Sequence, residues 1–223
     1  MGAASPPKRW PRCGRREAPE RAEVTALGIG RAPGGFTNNL EQESSLMASF
    51  IQMALDHFPI TLLLLGLLAA LVSLLSTRRQ RNAERVASTL LRWFLVFSVG
   101  LSFLTSFVMH SFFGATVAHA IGWAPSPFQF EVGTASLGYA LVAFLAAFGS
   151  LSLRLAALVG PAAFLWGGAA GRLIQAQHVP AQIPGYLDSM LAANLFIPLV
   201  GFVLLAWQAK AQSRRSVFAR SRL

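Results

Sequence analysis

Five stretches of about twenty residues run almost without charge, and that arrangement decides what this chain can fold into. They are residues 58–77, 93–113, 132–150, 155–174 and 189–209. A helix rises about 1.5 Å per residue, so about 20 residues cross a hydrocarbon layer roughly 30 Å thick. Membrane strands are shorter and alternate in polarity, which these runs do not. A helix of a soluble protein keeps a polar face, whereas these are apolar around their full circumference. In lipid only a helix satisfies the backbone of such a segment internally. The expected fold is all-α: a polytopic transmembrane helical bundle of about five spans.

Apart from Arg172, which stands at the end of the fourth run where it can snorkel, charge is confined to the gaps. It gathers at residues 8–43, 78–92 and 210–222. Charged residues make up 13% of the chain, about half the usual share, which a water-exposed surface would not tolerate. The formal net charge of +10 raises the question of nucleic acid. The cations lie beside the ends of apolar runs, as membrane orientation signals do. No nucleic-acid partner is therefore expected; the bilayer is, with a membrane protein or a second copy of the chain as further partners.

Orientation follows from the same cations. Arg78, Arg79, Arg81, Arg85 and Arg92 follow the first run, Arg154 lies between the third and fourth, and Lys210, Arg214, Arg215, Arg220 and Arg222 follow the fifth. In a five-span protein these regions share one side. The opposite loops, roughly 111–131 and 173–188, hold no Lys or Arg. The positive-inside rule then places the N-terminus out and the C-terminus in. The multi-pass chain is expected in a bacterial cytoplasmic membrane.

Residues 1–46 fit that topology badly. This segment is rich in Arg, Pro and Gly, carries seven Lys or Arg, and has too little apolar surface to offset the entropy of ordering. It reads as a disordered tail. Met47, just ahead of the first run, is the expected native start. The spacing of Phe50, Ile51, Ala54, Leu55 and Phe58 suggests a helical stretch lying along the outer surface.

Helices in lipid associate through small residues and occasional hydrogen bonds. Ala163, Gly167 and Gly171, spaced by four, form one such ridge; Ser136, Ala140, Ala143 and Ala147 form another. Pro161 and Pro198 are expected to bend their helices, and Asn194 needs a partner for its amide. Ser98, Ser102, Ser106 and His110 recur at four-residue steps on one helix face. Two readings of them stand: small hydroxyls that aid packing, or a polar track leading to an ionisable group.

The topology places all four histidines, His57, His110, His119 and His178, on the outer side. Asp56, Glu131 and Asp188 share that layer. Imidazoles beside carboxylates can hold a metal or haem, or move a proton near neutral pH. The spacing carries no metal-ligand signature, so no cofactor is predicted, and scattered interfacial histidines are the competing reading. No phosphate-binding loop or nucleophile elbow occurs. The single Cys13 excludes an internal disulfide framework.

Residues 121–138 hold the most distinctive pattern. Gly122-Trp123 is followed by Ser126-Pro127-Phe128-Gln129, one residue, Glu131, one residue, and Gly133. This resembles a loop found in a family of small bacterial integral membrane proteins of unknown function. The resemblance implies a membrane bundle and no particular activity. Physically, Pro125 and Pro127 hold the chain extended. Glu131 would either answer the helix dipole at the start of the third span or face the bundle interior as a proton acceptor or ligand. The residues singled out for function are Glu131, His110, His178, Gln129, Asn194 and His119. The leading expectation is a non-enzymatic accessory or interaction protein. A small-solute or proton-coupled transporter is the alternative, and a membrane redox or metal-binding protein the third.

Overall fold

The computed structural model describes residues 57–76, 82–178 and 185–220, with side chains for 57–76, 82–174 and 190–215. The expectations about residues 1–46, the Met47 start and the outer-surface stretch lie outside the described residues, as do Asp56, Arg78, Arg79 and Arg81. All elements found are helical. α1 is Phe58–Ser76, α3 the short Gly114–Ala120, α4 Phe128–Ala147, α5 Leu151–His178 and α6 Gly185–Arg220. Between α1 and α3 one continuous helix, α2, spans Ala83–Phe112. Five of these, all but α3, are long and apolar enough to cross a membrane.

The boundaries depart from the apolar runs in a consistent way. α2 begins ten residues before the expected 93, because Asn82 caps it: the Asn82 Oδ1 accepts from the Arg85 N–H at 2.9 Å. A side-chain cap with Glu84 in the first turn starts a helix whether or not lipid surrounds it. Arg85 and Arg92 therefore lie on a helix rather than in a loop. α5 starts at Leu151, so Arg154 is also helical, with the Ser150 hydroxyl accepting from the Leu153 N–H at 3.3 Å. α6 runs well beyond 209. Charged helix ends emerge from the apolar layer, and hydropathy does not mark where they stop.

The distinctive loop resolves into two helix ends. Gly122, at φ 77°, follows α3 in the left-handed conformation. Its N–H reaches the His119 carbonyl at 3.1 Å, and the Trp123 N–H reaches the Ala118 carbonyl at 2.8 Å. That is a Schellman closure, which favours glycine at this position. Pro127 then leads into α4, its fixed φ already suited to a helix start. Gln129, Glu131 and Gly133 are therefore residues of α4, which begins four residues ahead of the expected 132.

α2 sits at the centre. Its first half packs on α6 and α1, and its second half on α4. α4 turns a strip of small residues inward: Gln129, Gly133, Ser136, Ala140, Ala143 and Ala147 are all buried. Their alternating spacings of four and three give a continuous seam of close approach. Phe103 of α2 meets Tyr139 of α4 and Phe164 of α5 edge to face, and the latter two are tilted against each other, with centroids 5.2–5.8 Å apart. Residues 95–101 of α2 form a π segment, with the Ser102 N–H bonded to the Phe97 carbonyl five residues back. Phe144 packs there against Gly100, where any Cβ would meet its ring.

The second small-residue ridge points elsewhere. Ala163, Gly167 and Gly171 are exposed, and a Cβ added at Gly167 or Gly171 would meet nothing within 4 Å. The inward face of α5 is Ala157, Leu158, Ala162 and Ala169. Pro161 and Pro198 both lie inside helices. Near the second of them, the Trp166 Nε1–H of α5 donates to the Leu195 carbonyl of α6 at 3.4 Å, next to the Asn194 carbonyl that Pro198 leaves without its helical N–H partner.

Candidate functional site

Polar side chains inside the bundle gather at two ends and one point between. At one end α2 and α4 bring His110 and Gln129 together, with Nδ1 and Oε1 2.7 Å apart. Gln129 is 4% exposed. A carboxamide oxygen only accepts, so Nδ1 carries a proton and donates it in this bond. Seven residues further along α4, the Ser136 hydroxyl donates to the Val132 carbonyl at 2.8 Å. Its proton being used, it accepts from Ser106 at 3.0 Å. Between these two pairs lies Gly133. A methyl there would fall onto the Ser111 hydroxyl and 3.3 Å from the Phe107 carbonyl oxygen. Gly133 thus sets how closely α4 approaches, and the approach brings both polar pairs into range.

The outer candidates with described side chains, Glu131, His119 and His57, do not join this pair. Glu131 is exposed on the first turn of α4, where it answers the helix dipole; it does not face the bundle interior. His119 is exposed on the last turn of α3, and His57 is exposed just before α1. His178 ends α5, and its side chain lies outside the described residues, as does that of Asp188. Among the described residues no three His, Cys, Asp or Glu come together as metal ligands. Asn194 is half-buried on α6, with no hydrogen bond from its amide among the described residues.

Midway, Ser98 lies in the π segment, 3% exposed, and its hydroxyl has no partner among the described residues. It borders a narrow cavity walled by Phe94, Phe103, Leu158, Pro161, Ile197 and Pro198. The free space of about 10 Å³ suits a single water. Three helix irregularities therefore meet at one level, the π segment and both prolines.

At the opposite end stands a residue that the sequence marked only as an orientation signal. Arg154 is 3% exposed. Its Nε donates to the Ala146 carbonyl at 3.2 Å and its Nη2 to the Ala147 carbonyl at 2.8 Å. Nη1 donates to the Ser88 hydroxyl at 3.1 Å, the Ser88 carbonyl at 3.3 Å and the Gln208 Oε1 at 2.8 Å. One guanidinium thus ties α5 to α2, α4 and α6. It caps the C-terminal carbonyls of α4, where the helix dipole favours a cation. Gln208, inside the fifth apolar run, was the available signal: a buried amide in lipid requires a partner.

All of this defines a class, the polytopic helical membrane proteins, with five membrane-length apolar helices joined by interhelical polar contacts. Within it, residues 56–214 match the model of a family of unknown function, DUF6790, and the chain belongs to that family. No curated protein and no solved structure matches it.

Proposed function

We propose that this protein is a non-enzymatic accessory component of a bacterial cytoplasmic membrane, and that it packs a partner's transmembrane helix against α5. The observation that carries this reading is the open ridge of Ala163, Gly167 and Gly171 on an outward face of α5. Small residues let two backbones approach closely, and close packing is what drives helix association in lipid. Ser106 and His110 of α2 are already engaged with Ser136 and Gln129 of α4, which fits packing better than passage of a solute. The positive-inside rule supports an orientation with the C-terminus and the basic end inside.

Cysteine placed at Gly167 in a Cys13→Ser background tests this in native membranes. The expected result is a discrete oxidative crosslink, to a second copy or to one other membrane protein, that is lost when Ala163 and Gly171 are changed to Leu. An uncrosslinked chain, or a crosslink indifferent to those changes, would sink the reading.

A proton-coupled carrier is the second reading, and the His110–Gln129 pair favours it. A histidine with its Nδ1 proton held at the head of the Ser106–Ser136 seam, and the Ser98 hydroxyl further in, are the parts such a path would use. It would require the seam to open.

A further inference from the structure

The basic end carries a charge that the described residues do not balance. Its described cations are Arg85, Arg92, Arg154, Lys210, Arg214 and Arg215, and its one described carboxylate, Glu84, is held by Arg215 at 2.8 Å. The flanking segments 77–81 and 216–223 add five arginines in sequence, and neither Asp nor Glu.

Two of the cations stand on either side of the same feature. Arg154 takes the last carbonyls of α4. Arg92, a like-charged neighbour of Arg154, lies over the Phe148 ring immediately beyond them, 5.3 Å from its centroid. The α4 terminus supplies about half a negative charge against two whole positive ones. Arg154 has carbonyl, hydroxyl and amide acceptors. The Arg92 Nε is buried with no acceptor among the described residues, and its ring contact offers none.

The surroundings specify what kind of anion fits. Leu145 and Phe148, on the same end of α4, are 68% and 74% exposed. An apolar wall beside an unanswered guanidinium, at the rim of an apolar bundle, matches a molecule with a charged head and a hydrocarbon tail. The planar fork of arginine pairs with phosphate oxygens in a bidentate manner. We propose that Arg92, seated on Phe148, binds the phosphate of an anionic phospholipid whose acyl chain lies against Leu145 and Phe148. The site is separate from the α5 ridge and does not depend on it.

The full-length protein in mild detergent is offered phosphatidylglycerol, phosphatidylcholine or inorganic phosphate, and the retained molecule is counted by native mass spectrometry. Phosphatidylglycerol is expected to be retained over phosphatidylcholine by about fivefold to tenfold, as one well-placed cation implies. Arg92→Gln should abolish that preference, while Arg214→Gln, at an exposed position of α6, should leave it. Arg92→Lys keeps the charge but not the planar fork, and is expected to weaken the preference by about half; it carries the test if Arg92→Gln does not fold. Equal retention of the two lipids, or a preference unmoved by the Arg92 variants, overturns the proposal. Displacement of the lipid by millimolar inorganic phosphate also overturns it, assigning Arg92 to the free ion.

Discussion

The two ends of this bundle solve the same problem with different means. At the basic end a single buried cation reaches acceptors on three other helices. At the histidine end two side-chain pairs, His110–Gln129 and Ser106–Ser136, join only α2 and α4. A polar group removed from water must find a partner, and the number of helices it reaches decides how much of the fold depends on it. Arg154 is a junction. The histidine end is a seam between two neighbours, and α1, α5 and α6 can shift there without breaking it.

That contrast can be broken or sharpened by substitution. The largest effect is expected from Arg154→Met, which strands the Ala146 and Ala147 carbonyls and the Gln208 amide together. Equilibrium unfolding in detergent or bicelles should show a loss of about 3 kcal/mol. Arg154→Lys should recover less than half of it, since one ammonium cannot span the fork's acceptors. Gln129→Leu should cost about 1 kcal/mol, in line with single interhelical hydrogen bonds in membranes. The same variant should remove the bond that holds the His110 Nδ1 proton, read from the ring's ¹⁵N chemical shifts. A Gln129→Leu protein as damaged as Arg154→Met would erase the distinction between junction and seam. The smallest effect is expected at Glu131→Gln, at most about 0.5 kcal/mol, because only an exposed charge–dipole contact is lost. A larger loss would give Glu131 a role that its exposed position does not provide.

How far the sequence could be read depended on which physical signal was at stake. Apolar runs located all five spans, since length and the absence of charge are properties of single segments. The inward strip of α4 was legible in Ser136, Ala140, Ala143 and Ala147, because small residues recurring at threes and fours mean close approach. The identical cue in Ala163, Gly167 and Gly171 proved to face outward. In lipid both sides of a helix are apolar, so composition does not tell which side turns toward the bundle. Gln129 and Glu131 lie two residues apart on α4, hence on different faces; the sequence named both, and the structure separates a buried partner of His110 from an exposed charge.

Arg154 was underread for a different reason. As one of many cations at the same end, it was sufficiently explained by orientation, and its acceptors lie 66 and 54 residues away at Ser88 and Gln208. Only the backbone turn at Phe148, Gly149 and Ser150 brings it under the end of α4. The start of α2 was readable in principle, since Asn82 with Glu84 two residues on is a capping pattern; the apolar run starting at Trp93 drew the boundary later.

The π segment of α2 has a geometrical consequence for everything beyond it. Successive residues of an α-helix are set about 100° apart around the axis. A turn closed by a bond five residues back takes in one residue too many, and the remainder of the helix emerges rotated by about that angle. An unbroken helix through residues 95–101 would carry Ser106 and His110 a quarter-turn or more away from Ser136 and Gln129. One rod thereby addresses two neighbours in different directions, α6 with its first half and α4 with its second. The azimuth of the histidine end is thus written in a single supernumerary residue near the middle of the membrane.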